Sequence, residues 1–344
     1  MYNTFFTLIA LILFNSCQHN QKTNSDPEKI IVDTDMGSDC DDAGAFALLH
    51  KYVDMDKAEI IGCIYSSGKV PFGAGIIEAI NIYYGRPDLP IGAYQGQDVG
   101  DPIDKMNAEM LAKDTASFKN TIIYNSDVED QTRLNRKLLV NQEDNSISYL
   151  TLGHTKGLYD LLVSKPDDIS PLSGFELVNK KIKRWVAFGG GTEEFDSQNF
   201  TKDWNFYKNG AAIYTKYLVE NFPKPAFFIN QTEEILTGKS LKDTPPGNIV
   251  RTAYTEWLGR INKTLDDQRI SGDLIVVYYA VEGPGDFMVN SGKGWLEFDL
   301  ENGCRWHRDK SNLDQTFITL KEGTYERFAD YLNEMIAKPP KFHK

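Results

Sequence analysis

Five aspartates lie within ten residues near the start of this chain, directly after an apolar run at 30–32. They are Asp33, Asp35, Asp39, Asp41 and Asp42. Confined carboxylates this close raise one another's pKa unless a cation neutralises them, and several hard oxygen ligands suit Ca²⁺ or Mg²⁺. The β-branched residues before them are typical of a buried strand that ends at the rim of a sheet. The pattern therefore predicts a metal site at a strand end.

A helix cap is the alternative interpretation of the same acids. A helical pattern begins at Asp42, and acids in a first helical turn complement the helix dipole. A cap accounts for Asp39 and partly for Asp41, but not for Asp33 and Asp35, which alternate along a strand. We therefore favour the metal interpretation for Asp35 and Asp42 and leave it open for Asp33 and Asp39.

Strand and helix patterns alternate along the rest of the chain. Strands are predicted at 29–35, 59–65, 90–93, 147–152, 184–188 and 226–229, and helices at 42–52, 73–84, 131–140, 156–163, 210–220, 249–261 and 324–336. This order predicts an α/β fold with a mostly parallel central sheet flanked by helices on both faces, which binds ligands at the carboxyl ends of its strands. Asn302-Gly303, within the aromatic-rich segment 286–320, indicates a small antiparallel hairpin addition near the C-terminus.

Composition and the first residues predict where the protein works. The 344-residue chain has a net charge of -12, which argues against nucleic acid as a partner. Residues 1–16 carry no charged side chain, and their apolar run at 5–14 is too short to span a bilayer. Because the run ends at Asn15-Ser16-Cys17, it resembles a bacterial lipoprotein signal.

We therefore predict a signal peptide at 1–17 that ends in an acylated Cys17, a flexible tether at 18–28 and a single catalytic domain at 29–340. The protein would be an exported periplasmic, outer-membrane or cell-surface lipoprotein, in contact with a membrane only through this anchor. The alternative is an ordinary cleaved signal peptide with an incidental cysteine. Whether the protein forms a homo-oligomer stays open.

Four stretches together resemble the inosine-uridine-preferring nucleoside hydrolase family. The first is the apolar run at 30–32 with Asp33-Thr34-Asp35-Met36-Gly37 and Asp41-Asp42-Ala43, which resembles the family's amino-terminal signature. The other three are Leu152-Gly153-His154-Thr155, Asp203-Trp204-Asn205-Phe206 and Ser271-Gly272-Asp273. They resemble the family's calcium-binding turn, its sugar-binding segment and its distal calcium aspartate, in the order that the family requires.

The resemblance implies a role for each matching residue. The calcium ligands would be Asp35, Asp42, Asp273 and the carbonyl of Thr155, with Asp35 also acting as the base that activates the attacking water. The substrate-binding residues would be Asp41, which accepts a ribose hydroxyl, and Asp203 and Asn205, which hold the edge of the sugar. Cleavage of an N-glycosidic bond builds positive charge on the sugar, which surrounding carboxylates stabilise.

Because this chain departs from the family pattern, no residue is assigned the role of activating the leaving group. The acidic loop is two residues longer and contains Asp39, and Gly272 stands where purine-specific members have a histidine that protonates the base. His154 is the candidate donor, although a histidine there also serves to orient backbone. Lys69 and Trp204 are further candidate substrate contacts, with a solvated lysine and a packed aromatic as the alternatives.

These observations predict a calcium-dependent hydrolase of a ribonucleoside or related N-riboside. The alternative is a calcium-dependent sugar- or nucleoside-binding lipoprotein without turnover. A phosphatase of the haloacid dehalogenase type also begins with a strand and Asp-x-Asp. That family, however, normally has threonine or valine where this chain has Gly37.

Overall fold

The computed structural model of this protein describes residues 26–191, 198–230, 234–308 and 314–341. The predicted signal peptide, Cys17 and most of the tether lie outside the described residues and stay predictions. Within those ranges, no helix combines the length and the apolar character that a membrane crossing needs.

A ten-stranded sheet forms the centre of the described chain. The described residues contain twelve strands, ten in this sheet and two in a separate pair. They are β1 (Glu28–Thr34), β2 (Ala58–Tyr65), β3 (Ile91–Ala93), β4 (Glu129–Asp130), β5 (Ile147–Thr151), β6 (Ile182–Phe188), β7 (Ala226–Ile229), β8 (Leu236–Thr237), β9 (Arg269–Ile270), β10 (Met288–Asp299), β11 (Gly303–His307) and β12 (Gln315–Leu320). The sheet order is β11-β10-β12-β7-β6-β5-β1-β2-β3-β4, and β8 pairs separately with β9. Among these ten strands, only β10 runs against the others. The predicted mostly parallel sheet is therefore confirmed.

Helices cover both faces of the sheet. They are α1 (Asp41–Asp54), α2 (Gly73–Tyr83), α3 (Ala108–Lys113), α4 (Thr115–Phe118), α5 (Gln131–Val140), α6 (Lys156–Val163), α7 (Gly174–Lys181), α8 (Ala212–Asn221), α9 (Ile249–Arg260), α10 (Gly272–Glu282) and α11 (Tyr325–Ala337). One core lies between the sheet and α1, α2, α9, α10 and α11. A second core lies between the opposite face and α5 to α8. This arrangement confirms the predicted α/β class.

β1 is buried because it pairs in parallel with β2 on one side and β5 on the other. Its alternate side chains enter the two cores, Ile30 and Val32 on the α1 side and Ile31 on the opposite side. Asp33 continues the Ile31 face, since successive side chains of a strand point to opposite faces. Asp35 lies beyond the end of the strand at Thr34, so this alternation does not fix the direction of its side chain.

The predicted antiparallel hairpin is confirmed as β10 and β11. It extends the main sheet at the edge beyond β12, which itself runs parallel to β7. Gly303, in the turn, has a φ of 106° that favours glycine. The hairpin also reaches the segment before α8, because Thr201 pairs with Cys304.

Helix α10 was not predicted from the sequence. Its residues from Gly272 to Ala280 are all buried, so the helix is apolar around its whole circumference. Such a helix shows no 3.6-residue alternation, and its β-branched run gives no helical signal. The short helices α3 and α4, and α7, were also missed.

Close packing of α1 against α9 and α10 depends on Gly44. A Cβ at this position would lie 2.4 Å from Tyr254 Oη and 3.0 Å from Leu274 Cδ1. We expect Gly44→Ala to lower the free energy of unfolding by about 1–3 kcal/mol, because overpacking separates the helices. Gly259→Ala is the control, because a Cβ there meets nothing within 4 Å. It should stabilise α9 by up to about 1 kcal/mol. Urea denaturation measures both, and equal stability of the two variants would contradict the packing.

Candidate functional site

A cavity of about 350 Å³ opens where the parallel strands end. Asp35 follows β1, Leu152 follows β5 and Phe188 ends β6, and all three line it. Parallel α/β sheets bind ligands at this edge, and the volume is typical of a small-molecule site. Five of the described lining residues are aspartates: Asp35, Asp39, Asp41, Asp42 and Asp273.

Three buried carboxylates converge at this cavity. Asp41 and Asp42 open α1, and Asp273 is the second residue of α10. One carboxylate oxygen from each lies within 4.8 Å of the others. The Asp273 amide donates to Asp41 Oδ2 over 3.3 Å, and Thr34 Oγ1 donates to Asp42. The packing of two helices therefore assembles the cluster from distant parts of the chain.

The electrostatics of this cluster fit a bound cation. Burial raises the pKa of Asp41 to about 8, and the Asp39 carboxylate adds to the rise. Burial and the neighbouring carboxylates also raise the pKa of Asp42 and of Asp273 well above the usual value. The Asp35 carboxylate contributes to the rise at both, although Asp35 is not one of the three residues whose oxygens lie within 4.8 Å of one another. A divalent cation would favour the ionised forms, and oxygen-only donors suit Ca²⁺ or Mg²⁺.

Asp35 faces His154 across the base of the cavity. Asp35 Oδ2 lies 3.6 Å from His154 Nε2, and neither buried atom has a hydrogen-bond partner among the described residues. Burial raises the pKa of Asp35, and the charge of His154 opposes the rise. His154 Nδ1 donates to the backbone oxygen of Asn205, 3.2 Å away. Asp35 therefore retains an oxygen that can accept a proton or bind a cation.

The turn after β5 also contacts Asp35. A Cβ at Gly153 would lie 2.2 Å from Asp35 Cγ, so glycine permits this approach. Thr155 follows two residues later and is the N-cap of α6, where its carbonyl accepts the Tyr159 amide over 3.0 Å. A carbonyl has a second lone pair, so that bond does not prevent Thr155 from binding a cation. Thr155 is buried and is not among the cavity-lining residues.

The predicted sugar-binding segment forms the cavity wall beside the ends of β5 and β6. Asn205 lines the cavity, and its Nδ2 donates to the Leu152 carbonyl over 2.7 Å and to the Phe188 carbonyl over 3.2 Å. Asp203 lies behind this wall, where its oxygens accept the Phe206 amide at 2.7 Å and the Gly190 amide at 3.2 Å. Asn205 therefore lies in the cavity wall itself, whereas Asp203 shapes the turn that carries it.

Two other residues named from the sequence lie apart from the carboxylate cluster. Asp33 Oδ2 accepts the hydroxyl of Tyr149 over 3.2 Å on the opposite face of the sheet. Lys69 Nζ lies 3.5 Å from the backbone oxygen of Asn209 and is not among the cavity-lining residues. Trp204, in contrast, lines the cavity and is 45% exposed, and the ammonium groups of Lys105 and Lys208 lie over its ring.

The additional aspartate of the acidic loop pairs with Arg269. Asp39 accepts hydrogen bonds from Arg269 Nε at 2.9 and 3.0 Å and from Nη2. The Arg269 guanidinium also lies 4.5 Å from the centre of the Trp257 ring, and Trp257 Nε1 donates to the Ser38 carbonyl over 3.3 Å. Asp39 therefore connects its loop to the segment that leads into α10.

Sequence reasoning missed several cavity-lining residues, among them Lys105, Trp257 and Arg269. Lys105 lies in a stretch to which no element was assigned, and no pattern around it indicated a site. Arg269 lies four residues before Asp273, and that short spacing was the available signal. Gly272 belongs to the same wall, where a Cβ would lie 2.3 Å from the Phe188 ring.

Comparison with solved structures identifies the fold. A plant nucleoside hydrolase, PpNRh1, is 17% identical over 91% of this chain and 100% of its own, with a TM-score of 0.64. The inosine-uridine preferring nucleoside hydrolase from Bacillus anthracis is 16% identical over 90% of this chain and 99% of its own, with a TM-score of 0.62. The type III effector protein XopQ, solved with adenosine diphosphate ribose, is 12% identical over 91% and 94%, with a TM-score of 0.62. No family model and no curated protein sequence matches this chain. The similarity nevertheless shows that the chain has the nucleoside hydrolase fold.

Proposed function

We propose that this protein is a calcium-dependent hydrolase of the N-glycosidic bond of a ribonucleoside or related N-riboside. The observation that carries the proposal is the convergence of Asp35, Asp41, Asp42 and Asp273 at one cavity of a nucleoside hydrolase fold. The resemblance assigns the ion to Asp35, Asp42, Asp273 and the Thr155 carbonyl. The ion would supply a lower pKa for the attacking water and a grip on ribose hydroxyls.

The chain's own residues provide the rest of the chemistry. Asp35 accepts the proton of the water that attacks the anomeric carbon, using the oxygen that has no hydrogen-bond partner among the described residues. Asp41 accepts a hydrogen bond from a ribose hydroxyl, and Asn205 contacts the sugar from the cavity wall beside the ends of β5 and β6. The surrounding carboxylates stabilise the positive charge that builds on the sugar ring. We also propose, from the sequence alone, that the protein is exported and anchored through Cys17.

Removal of the base should separate turnover from binding. We expect Asp35→Asn to lower kcat for inosine or uridine roughly 100-fold or more, since general base catalysis is lost while an oxygen ligand stays. Ribose release measures turnover, and calorimetry measures calcium binding.

Asp33→Asn is the matched control, because burial raises the pKa of Asp33 well above its usual value and asparagine mimics a neutral carboxyl. Its activity should match the wild type. Saturable nucleoside binding by the wild type without ribose release would instead favour the binding lipoprotein.

Metal removal should make stability depend on pH. Burial raises the pKa of Asp41 to about 8 in the folded metal-free chain, against 3.8 for a fully solvated aspartate. Between these values the folded state binds more protons than the unfolded state. Stability therefore falls as the pH rises, by up to about 1.4 kcal/mol per pH unit for each such group. In EDTA, Tm should drop from about pH 4 to about pH 8, and calcium should stabilise the protein most at the upper end.

Asp42→Asn should flatten this pH dependence in EDTA and abolish tight calcium binding, because it removes one of the repelling carboxylates and one ligand. Differential scanning calorimetry with and without calcium measures both effects. Stoichiometric calcium retention by Asp42→Asn would contradict its assignment as a ligand.

A further inference from the structure

The acidic loop between β1 and α1 is fastened to two later parts of the chain. Asp39 accepts hydrogen bonds from Arg269 Nε at 2.9 and 3.0 Å and from Nη2, so the guanidinium contacts both carboxylate oxygens. The same guanidinium lies 4.5 Å from the centre of the Trp257 ring, and Trp257 Nε1 donates to the Ser38 carbonyl over 3.3 Å. Ser38, Asp39, Trp257 and Arg269 thus form a closed set of contacts, which we call the clasp.

Backbone hydrogen bonds anchor the clasp at both ends. The Cys40 amide donates to Asp39 Oδ1 over 2.7 Å, and Cys40 is the N-cap of α1. Arg269 lies in β9, which pairs with β8. Ser271, directly after β9, is fully buried, and its amide donates to the Ile235 carbonyl over 3.0 Å. The clasp therefore joins the start of α1 to the segment that leads into α10.

Those two helix starts carry the carboxylate cluster. One oxygen from each of Asp41, Asp42 and Asp273 lies within 4.8 Å of the others, and like charges this close repel when no cation lies between them. The hydrogen bond from the Asp273 amide to Asp41 Oδ2 is 3.3 Å long, beyond the usual range. Asp39 lies two residues before Asp41 and Arg269 four residues before Asp273, so their ion pair is placed to oppose this repulsion.

We propose that Asp39 and Arg269 are positioning residues for the cation site. Their ion pair holds the start of α1 against the start of α10, so the carboxylates converge before the ion binds. A site that keeps its geometry without its ligand loses less free energy on binding, so the clasp raises the affinity for calcium. Asp39 belongs to the two residues by which the acidic loop exceeds the family pattern. The inference rests on the proposed function and concerns how this chain holds the ion.

The charges of the pair offer a second explanation, which the variants have to separate from the first. The Asp39 carboxylate raises the pKa of Asp41, whereas the Arg269 guanidinium lowers it. Because the two charges are opposite and adjacent, neutralising one or the other changes calcium affinity in opposite directions if charge alone acts. Loss of a shared contact instead changes the affinity in the same direction.

Calorimetric titration of Asp39→Asn, Arg269→Gln and the double variant with calcium tests the proposal. Each single variant should bind calcium roughly 10-fold more weakly than the wild type, as loss of a residue that orients metal ligands does. The double variant should bind about as weakly as either single variant, because both substitutions remove the same ion pair. Arg269 and Asp39 have side chains that are 29% and 20% exposed, so we expect all three variants to fold, which circular dichroism checks.

Trp257→Phe tests the clasp without any change of charge. Phenylalanine keeps a flat ring for the guanidinium but cannot donate to the Ser38 carbonyl. Calcium binding should weaken roughly 3-fold, about the contribution of one hydrogen bond. Where an ion-pair variant does not fold, this variant decides the question, and wild-type affinity in it would overturn the inference.

Arg133→Gln is the matched control. Arg133, on α5, donates to both oxygens of Asp168 at 2.8 and 2.7 Å, and it is not among the cavity-lining residues. The substitution removes the same charge and the same kind of ion pair, and calcium affinity should stay that of the wild type.

Opposite effects of Asp39→Asn and Arg269→Gln on calcium affinity would show that charge alone acts, and would overturn the inference. Wild-type affinity in every variant of the clasp would overturn it as well. Failure of the wild type itself to bind calcium would instead overturn the calcium site of the proposed function.

Discussion

Mutual repulsion among buried carboxylates is the constraint on which the site depends. Asp41 and Asp42 lie in the first turn of α1 and Asp273 in the first turn of α10, so two helix amino termini face the same negative charge. Hydrogen bonds from Thr34 and from the Asp273 amide add further stabilisation. Burial nevertheless leaves the pKa values of these carboxyls raised, and a divalent cation would keep the group ionised near neutral pH.

The C-terminal hairpin helps to position the cavity wall that carries Trp204 and Asn205. Thr201 and Cys304 exchange backbone hydrogen bonds of 2.8 and 2.9 Å, and Cys304 Sγ donates to Asp203 over 3.4 Å. Asp203 in turn holds the tight turn that presents Trp204 and Asn205 to the cavity. The predicted sugar-binding segment is therefore held by an element that lies about a hundred residues later in the chain.

The longer acidic loop has its own attachment. Asp39 pairs with Arg269, which lies in β9, and the main chain continues from there into α10. Since Asp39 lies two residues before Asp41, the pair connects the two chain segments that carry the carboxylate cluster. The Arg269 guanidinium also lies over the Trp257 ring, so one side chain contacts both an acid and an aromatic residue of the cavity lining.

The sequence by itself determined the fold class, most strands and helices, and the acidic end of β1. Those features depend on local patterns: β-branched runs, helical periodicity and motif spacing. It also named Asp35, Asp41, Asp42, Asp273, Asn205 and Trp204, all of which the structure brings to one cavity. The sequence left open whether Asp33 belongs to this site, because the alternation of side chains along β1 does not predict how the chain turns after Thr34.

Only the tertiary structure decided where α10, Lys105 and Arg269 lie in the site. Helix α10 has no amphipathic period because every side of it is buried, and its place beside α1 follows from packing. Lys105 and Arg269 acquire their surroundings from contacts with Trp204, Trp257 and the acidic loop, which come from separate parts of the chain. Contacts of charged groups and aromatic rings between distant segments produce no periodic pattern in the sequence, because they do not depend on a repeated local spacing of residues.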